Sequence, residues 1–467
     1  MPEKYNIPIN PVPPRLPPVG KYSTVEFRED CAGSCRECVK KKCIYGIFKN
    51  TQDHIQLMTE PEYSYECNSC FRCVQECTRG IFSRVINPDY RTLGDDYWNP
   101  DIISRTWLQA HTGSIPVSGA GYRGPFSGEG FDSMWTDMSE IVRPTRDGIH
   151  GREYINTGIE LSKRPHRLSF NEDMSLATPI PKSLEIPLPI LFSTPDFGVK
   201  TENVMLSMAS AAKQIGTLMV IDAGDIKGAL TPFVSHFIPR ITGQNLADCK
   251  ELIKNCPMIE MAYDPDMESH IANLRKIKDD VIISAGVALD SASPDIAVSL
   301  AKMGVDTIHF YSGHNGKSRD AKNPLFLKDA IRHVHLALVD AALRNSINLI
   351  FSGGIAMAEH VNKAIILGAD GVAVDASLLI AMECRVCYNC KKGLACPAKF
   401  EEVDAEFGSG RIVNLMGAWR NQILEMLGAM GIREARRLRG EMGRLMLFDD
   451  LEKECFEPLF GKKKVFA

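Results

Sequence analysis

"INLIFSGGIAMAEHVNKAIILGADGVAVDAS", residues 347–377, is the stretch that decides the fold. It opens on a β-rich run, "INLIFSGG" (347–354), and closes on another, "DGVAVDAS" (370–377). Between them "AEHVNKAIILGA" repeats apolar residues every three to four positions, as a helix covering a sheet should. A strand, a covering helix and a second strand make one parallel β/α unit.

The same alternation extends upstream. Strands are expected at 186–193, 217–224, 236–242, 258–263, 280–286 and 307–313, with helical stretches such as "PDIAVSLAKMG" (294–304) between them. The third is the weakest, because Pro239 interrupts it. Eight such strands predict an α/β fold, a TIM (β/α)8 barrel whose active site lies at the carboxyl ends of the strands. Gly353 and Gly354 then occupy a loop where such barrels bind phosphate. "MECRVCYNCKKGLACP" (382–397) follows the eighth strand at the same mouth. Cys384, Cys387 and Cys390 form a C-x2-C-x2-C triplet, and Cys396 adds a local fourth thiol. A cluster there would sit beside the phosphate loops. The carrier that turns its single electrons into a hydride equivalent would be a flavin, and FMN carries the one phosphate required.

Fifteen cysteines in a chain with no signal-peptide core point to metal rather than to disulfides. Eight lie between residues 31 and 77. Cys67, Cys70, Cys73 and Cys77 have the spacing of half a two-cluster bacterial ferredoxin, in which the fourth cysteine serves the other cluster. Cys31, Cys35, Cys38 and Cys43 are a stretched version, and both halves continue with Gly-Ile-Phe. Crossing the fourth ligands assigns Cys31, Cys35, Cys38 and Cys77 to one [4Fe–4S] cluster, and Cys67, Cys70, Cys73 and Cys43 to the other. With the carboxyl-terminal set, three clusters are expected. Zinc is the alternative, though it prefers separated cysteine pairs to triplets.

A net charge of −4 argues against nucleic acid or an anionic membrane as the main partner. No apolar run is long enough to span a bilayer, and a cytoplasmic location is expected. Five regions emerge: a Pro-rich arm (1–21), a ferredoxin-like domain (22–90), a Gly/Arg-rich connection (91–184), the barrel (185–400) and a helical extension (401–467). The arm favours extended backbone, disordered or laid along another surface. The connection reads as a solvated tie, or as a lid offering Arg143, Arg146, His150 and Arg152 to an anionic substrate. The tail from about 410 reads as an amphipathic helical hairpin. With no G-x-G-x-x-G after a strand, electrons are expected from a separate protein, either a ferredoxin or an NAD(P)H-oxidising subunit, within an oligomer or a larger complex.

Three stretches, "PILFSTPDFG" (189–198), "FYSGHNG" (310–316) and "SGGIAMAEHVNKAIILGADGVAVD" (352–375), resemble the FMN-binding barrel of glutamate synthase. With the amino-terminal cysteine block, the arrangement is similar to the archaeal-type glutamate synthases. The resemblance implies FMN, an adjoining iron–sulfur cluster of [3Fe–4S] or [4Fe–4S] type, and reduction of 2-iminoglutarate. It places Ser193 and Thr194 at the flavin ring, Ser312 and Gly313 along the site, and Ser352, Gly353, Gly354 and Gly371 around the phosphate. His314, Lys317 and Arg319 are candidates for polarising the flavin or holding an anionic substrate. Glu260 and Asp222, at strand ends, are candidate acids or bases. One departure stands out: where the family carries a glycine-rich, lysine-containing segment, this chain reads "MIEMAYDPDMES" (258–269).

Overall fold

The computed structural model describes residues 5–17, 19–26, 38–40, 43–44, 70–115, 128–137, 155–162, 168–179, 181–318, 320 and 324–461. Eight parallel strands close into a barrel: β1 (Ile190–Ser193), β2 (Met219–Asp222), β3 (Phe237–Ile241), β4 (Met258–Ala262), β5 (Ile282–Ala288), β6 (Thr307–Tyr311), β7 (Asn348–Ser352) and β8 (Gly371–Val374). Each strand pairs with the next in the chain, and β8 closes on β1 with Val372 opposite Ile190. All eight lie where the β-rich runs predict them. Strand β3 carries Pro239 where only its ladder to β2 has begun, since pairing with β4 starts at Arg240.

The amino end of the barrel is dry. A short antiparallel pair, Ile159–Glu160 with Glu185–Ile186, lies across it, and Ile159, Leu161 and Ile186 pack on Leu191, Val220, Ile238, Met258, Ile282 and Ile350. A filled interior of this kind is a core rather than a channel.

Two helices outside the β/α repeat brace the other end. The first, α1 (Pro100–Thr112), has Asn99 accepting from the Ile102 amide, Pro100 in its first turn and Gly113 in the left-handed C-terminal position. It buries Ile102, Ile103, Trp107 and Ala110. This helical part of the connecting segment is therefore packed protein, not a solvated tie, whereas residues 168–177 are exposed. The proposed lid arginines Arg143, Arg146 and Arg152, with His150, lie outside the described residues.

The tail forms one 25-residue helix, α2 (Ala405–Ala429), followed by short helical turns and the strand Leu445–Leu447, rather than a hairpin. Its glycines mark close approach instead of a break. A Cβ on Gly408 would meet the Ser207 side chain at 2.2 Å, and one on Gly417 would meet Ile9 at 2.8 Å. Arg411, fully buried, donates to the carbonyls of Ala381 (2.6 Å), Val12 (3.1 Å) and Trp107 (3.3 Å). Asn414 likewise bonds Asn10 and Ala110. The described part of the Pro-rich arm is thus laid along α2 and α1.

Of the amino-terminal block, the strands Tyr22–Glu26 and Phe82–Ile86 pair antiparallel. Cys73 packs there with Val39, Ile81 and Phe82, and Cys43 and Cys77 lie against them. Cys31, Cys35 and Cys67 lie outside the described residues, and the crossed ligand assignment falls there with them.

Candidate functional site

Strand ends β3, β4, β6 and β7 deliver a polar chain into the carboxyl half of the barrel. Arg240 Nε donates to Glu260 Oε1 at 2.9 Å, and its guanidinium lies 3.4 Å from Asp222. The other Glu260 oxygen, Oε2, is 2.6 Å from His309 Nδ1, and His309 Nε2 is 2.9 Å from the Ser352 hydroxyl. Glu260, His309 and Ser352 are all buried. Burial alone would raise the Glu260 pKa, but His309 and Arg240 outweigh it and hold the value to about 2. An ionised Glu260 accepts from Nδ1–H and orients the imidazole so that Nε2 meets the Ser352 hydroxyl. Glu260 reaches β6 across β5 because Gly286 stands between them. A Cβ there would come within 3.0 Å of the Glu260 carboxylate.

The candidate cofactor residues divide between the two ends of the barrel. Ser193, Ser312 and Ser352 are buried at the carboxyl ends of their strands, and Thr194 follows β1 with its amide bonded to the Val220 carbonyl. Ser312 donates its hydroxyl to the Ser352 carbonyl at 2.9 Å, tying the loop after β6 to that after β7. Gly353 (φ 93°) and Gly354 (φ 68°) take the left-handed conformation that favours glycine. A Cβ on Gly353 would lie 2.3 Å from Ser312 Oγ, and one on Gly354 would lie 2.6 Å from the Gly316 backbone. The loop after β7 thus packs directly on the loop after β6 beside Gly313 and Gly316, where no side chain would fit. Gly371 does not join it. It begins β8 at the amino end of the barrel, against Ile159 and the Pro189 carbonyl.

The three nominated catalytic residues are not one constellation. Glu260 is buried under the mouth with both oxygens engaged. Lys317 sits on the rim, 2.8 Å from Glu129 and over the Phe326 ring. His314 lies between the mouth and the cysteine loop, its ring against Phe197 (5.9 Å) and Tyr388 (5.2 Å). Arg319 lies outside the described residues.

Asp95 joins these parts. It accepts from the Tyr388 hydroxyl at 2.6 Å and from the amides of Tyr97 and Trp98, with His314 Nε2 at 3.6 Å. Burial opposes its charge, but the bonds from His314, Tyr388, Trp98 and Tyr97 prevail and hold its pKa to about 2. Trp98 Nε1 donates to the His314 carbonyl at 2.8 Å, and the Tyr97 hydroxyl donates to the Gly354 carbonyl. Sequence reasoning passed over this segment and His309 alike. The helix signal of Asn99-Pro100 with Gly113 was available for the first. No sequence signal links His309 to partners 49 and 43 residues away.

Cys384, Cys387, Cys390 and Cys396 line one pocket, with Phe197 and Gly198 of the β1 loop on its wall. Glu383, Val386 and Tyr388 have φ of 77°, 50° and 55°, so the loop winds through left-handed backbone at non-glycine residues. Amides point at sulfur: Gly198 N–H to Cys390 Sγ at 3.3 Å, and Val386 N–H to Cys384 Sγ at 3.4 Å. Burial pushes the Cys384 thiol up to about 12, a cost that a bound cation removes by taking the thiolate. Among the described residues, three or more His, Cys, Asp or Glu ligand atoms come within 4.8 Å of one another only at Asp132, Glu359 and His360. No three of the four sulfurs lie within 4.8 Å of one another, whereas Zn–S bonds of about 2.3 Å would draw them to roughly 4 Å. Arg15 of the amino-terminal arm clamps this loop at both ends. Its amide donates to Glu383 at 2.7 Å and its guanidinium to the Ala398 carbonyl at 2.9 Å.

Residues 228–433 match the family model for the conserved region in glutamate synthase. The archaeal glutamate synthase [NADPH] of Methanocaldococcus jannaschii is 27% identical over 93% of this chain and 96% of its own length. The archaeal-type glutamate synthase [NADPH] of Dehalococcoides mccartyi is 25% identical over 89% of this chain and 93% of its own length. A mandelate oxidase structure superposes with a TM-score of 0.41 at 14% identity, covering 66% of this chain and 98% of that one, a likeness too distant to bear on the site. Among the described residues, no helix is long and apolar enough to cross a membrane.

Proposed function

This chain is a relative of the glutamate synthases along most of its length, and on that premise we propose that it is an iron–sulfur flavoprotein oxidoreductase. In this reading the amino-terminal cysteines hold two [4Fe–4S] clusters that take electrons from a separate redox protein. Cys384, Cys387, Cys390 and Cys396 hold the third, and FMN binds at the carboxyl mouth of the barrel. Four cysteines around one pocket against the β1 loop, with amides aimed at two of the sulfurs, carry the proposal.

Bound FMN would supply the exchange between single electrons and a hydride equivalent. The chain's own residues do the rest. Gly353 and Gly354 leave the phosphate end free of side chains, and Ser193, Ser312 and Thr194 line the ring end. Glu260 fixes the His309 ring, which in turn holds the Ser352 hydroxyl at the base of the mouth. Phe197, His314 and Tyr388 pack between the cysteine loop and the mouth and keep water from the space between them. Anaerobically purified protein should hold about twelve irons and about one FMN per chain. Stoichiometric zinc with little iron would sink the scheme.

A second reading, an electron-transfer subunit that makes no glutamate, is favoured by one feature. The segment 258–269 offers no lysine, and Asp222 adds an exposed carboxylate at a neighbouring strand end. Orienting 2-iminoglutarate over a flavin demands positioning of the kind that supplies ~7–11 kcal/mol of a barrier. Reduced protein given 2-oxoglutarate and ammonia is expected to form little glutamate per flavin, while the flavin still exchanges electrons with ferredoxin. Sustained turnover near the ~10 s⁻¹ typical of enzymes would establish the synthase reading instead.

A further inference from the structure

In a β/α barrel the loops after strands seven and eight are where phosphate is held, commonly with help from a helix amino terminus. Here that position after β8 belongs to Asp375. Its side chain accepts from the Ala376 amide at 2.6 Å, so a carboxylate of the chain itself caps the six-residue helix Ala376–Ala381. The charged and titratable groups close enough to act on Asp375 come from three other elements: Asp196 of the β1 loop, His314 of the β6 loop, and Tyr97 of the segment before α1. Asp196 adds a second carboxylate, and Lys391 answers it only at 3.8 Å. Tyr97 closes the β7 side by donating to the Gly354 carbonyl. Ser352 pairs with Ala373, so the register sets Asp375, at the end of β8, beside the Gly353–Gly354 loop at the end of β7, and a carboxylate stands next to the glycines.

We infer that Asp375 makes this barrel mouth discriminate against a phosphate monoester, so that a flavin is held there by its ring rather than by its phosphate. The inference rests on the flavin reading above and specifies how this chain departs from it. A phosphate carries about −1.5 to −2 charge near neutrality, and like charges in a poorly hydrated site repel far more strongly than in water. Burial, reinforced by Asp196 and opposed by the Ala376 amide and His314, pushes Asp375 up to about 6. Its charge therefore switches within the working pH range. Below that value a neutral carboxyl tolerates the phosphate, and above it the repulsion is complete.

The test is a fluorescence-quenching titration of the iron–sulfur-loaded, flavin-stripped full chain with FMN and with riboflavin, at about pH 5.5 and about pH 8, which bracket the switch. At the higher pH riboflavin should bind at least as tightly as FMN, and FMN should gain about tenfold on acidification while riboflavin does not. Asp375→Asn keeps a good helix cap. It should tighten FMN about tenfold at the higher pH, leave riboflavin unchanged and lose most of the pH dependence. Riboflavin binding also reports that the variant's site is intact. A wild-type preference for FMN of tenfold or more at the higher pH would overturn the inference, as would an Asp375→Asn effect equal for both flavins. If neither protein binds either flavin, the flavin reading itself fails and the inference falls with it.

Discussion

At its amino end the barrel is closed by Ile159, Leu161 and Ile186 against Met258, Ile282 and Ile350, all apolar. At its carboxyl end the same strands present Arg240, Glu260, His309 and Ser352, linked through shared hydrogen bonds. A few residues along each strand separate a region that only packs from one that holds charge in a dry place. Burial at the first end contributes stability in proportion to area. At the second it costs stability unless every charge is answered, and the chain keeps Glu260 there with both oxygens bonded.

Substitutions at the two ends should therefore differ in kind as well as size. Glu260→Ala leaves Arg240 and His309 without their anion, and should cost about 3–5 kcal/mol in denaturant unfolding while freeing the Ser352 hydroxyl from its fixed partner. A loss below about 1 kcal/mol would mean that the chain is not a coupled unit. Ile350→Val, a single methylene lost at the dry end, should cost only about 0.5–1.5 kcal/mol and leave flavin binding and electron transfer untouched. Any redox effect of that change would blur the division between the ends.

Acid separates the two ends further. Glu260 and Asp95 both have pKa values depressed to about 2, from ordinary values of 4.5 and 3.8. A depressed carboxylate contributes stability that is fully present above its unfolded pKa and is lost as pH falls through its folded one. Asp375, raised to about 6, works the other way and adds stability as it protonates between about pH 6 and about pH 4, so urea midpoints should rise slightly there and then decline toward about pH 2 as Glu260 and Asp95 protonate. Glu260→Gln should flatten part of that decline, whereas Ile350→Val should shift the whole curve without changing its shape.

The barrel was legible because periodicity is local. Each of its eight strands is a short β-rich run, and even Pro239 obstructed only one ladder. The cysteine loop was legible because spacing is local too. What escaped was assembled across strands: His309 meets Glu260 only because Gly286 on the intervening strand lacks a side chain, a relation no window of sequence contains. The tail misled for a related reason. The alternation of apolar and basic residues from about 410 reads as a helical hairpin, whereas Ala405–Ala429 is a single helix that admits Ser207 and Ile9 at Gly408 and Gly417. Gly371 shows the same limit at the scale of one strand, since a glycine in β8 belongs to whichever end the register gives it.

The most direct test of the account uses Cys387→Ser, because Cys384 to Cys396 form a set separate from the amino-terminal cysteines. With electron paramagnetic resonance on the dithionite-reduced protein and stopped-flow reduction by ferredoxin, the account predicts that the variant loses one cluster's signal and keeps the other two. Flavin should remain bound, and its reduction by ferredoxin should stop. Flavin reduced at the wild-type rate, or loss of the amino-terminal clusters' signals in place of the third, would contradict the claim that the cysteine loop is the path to the barrel mouth.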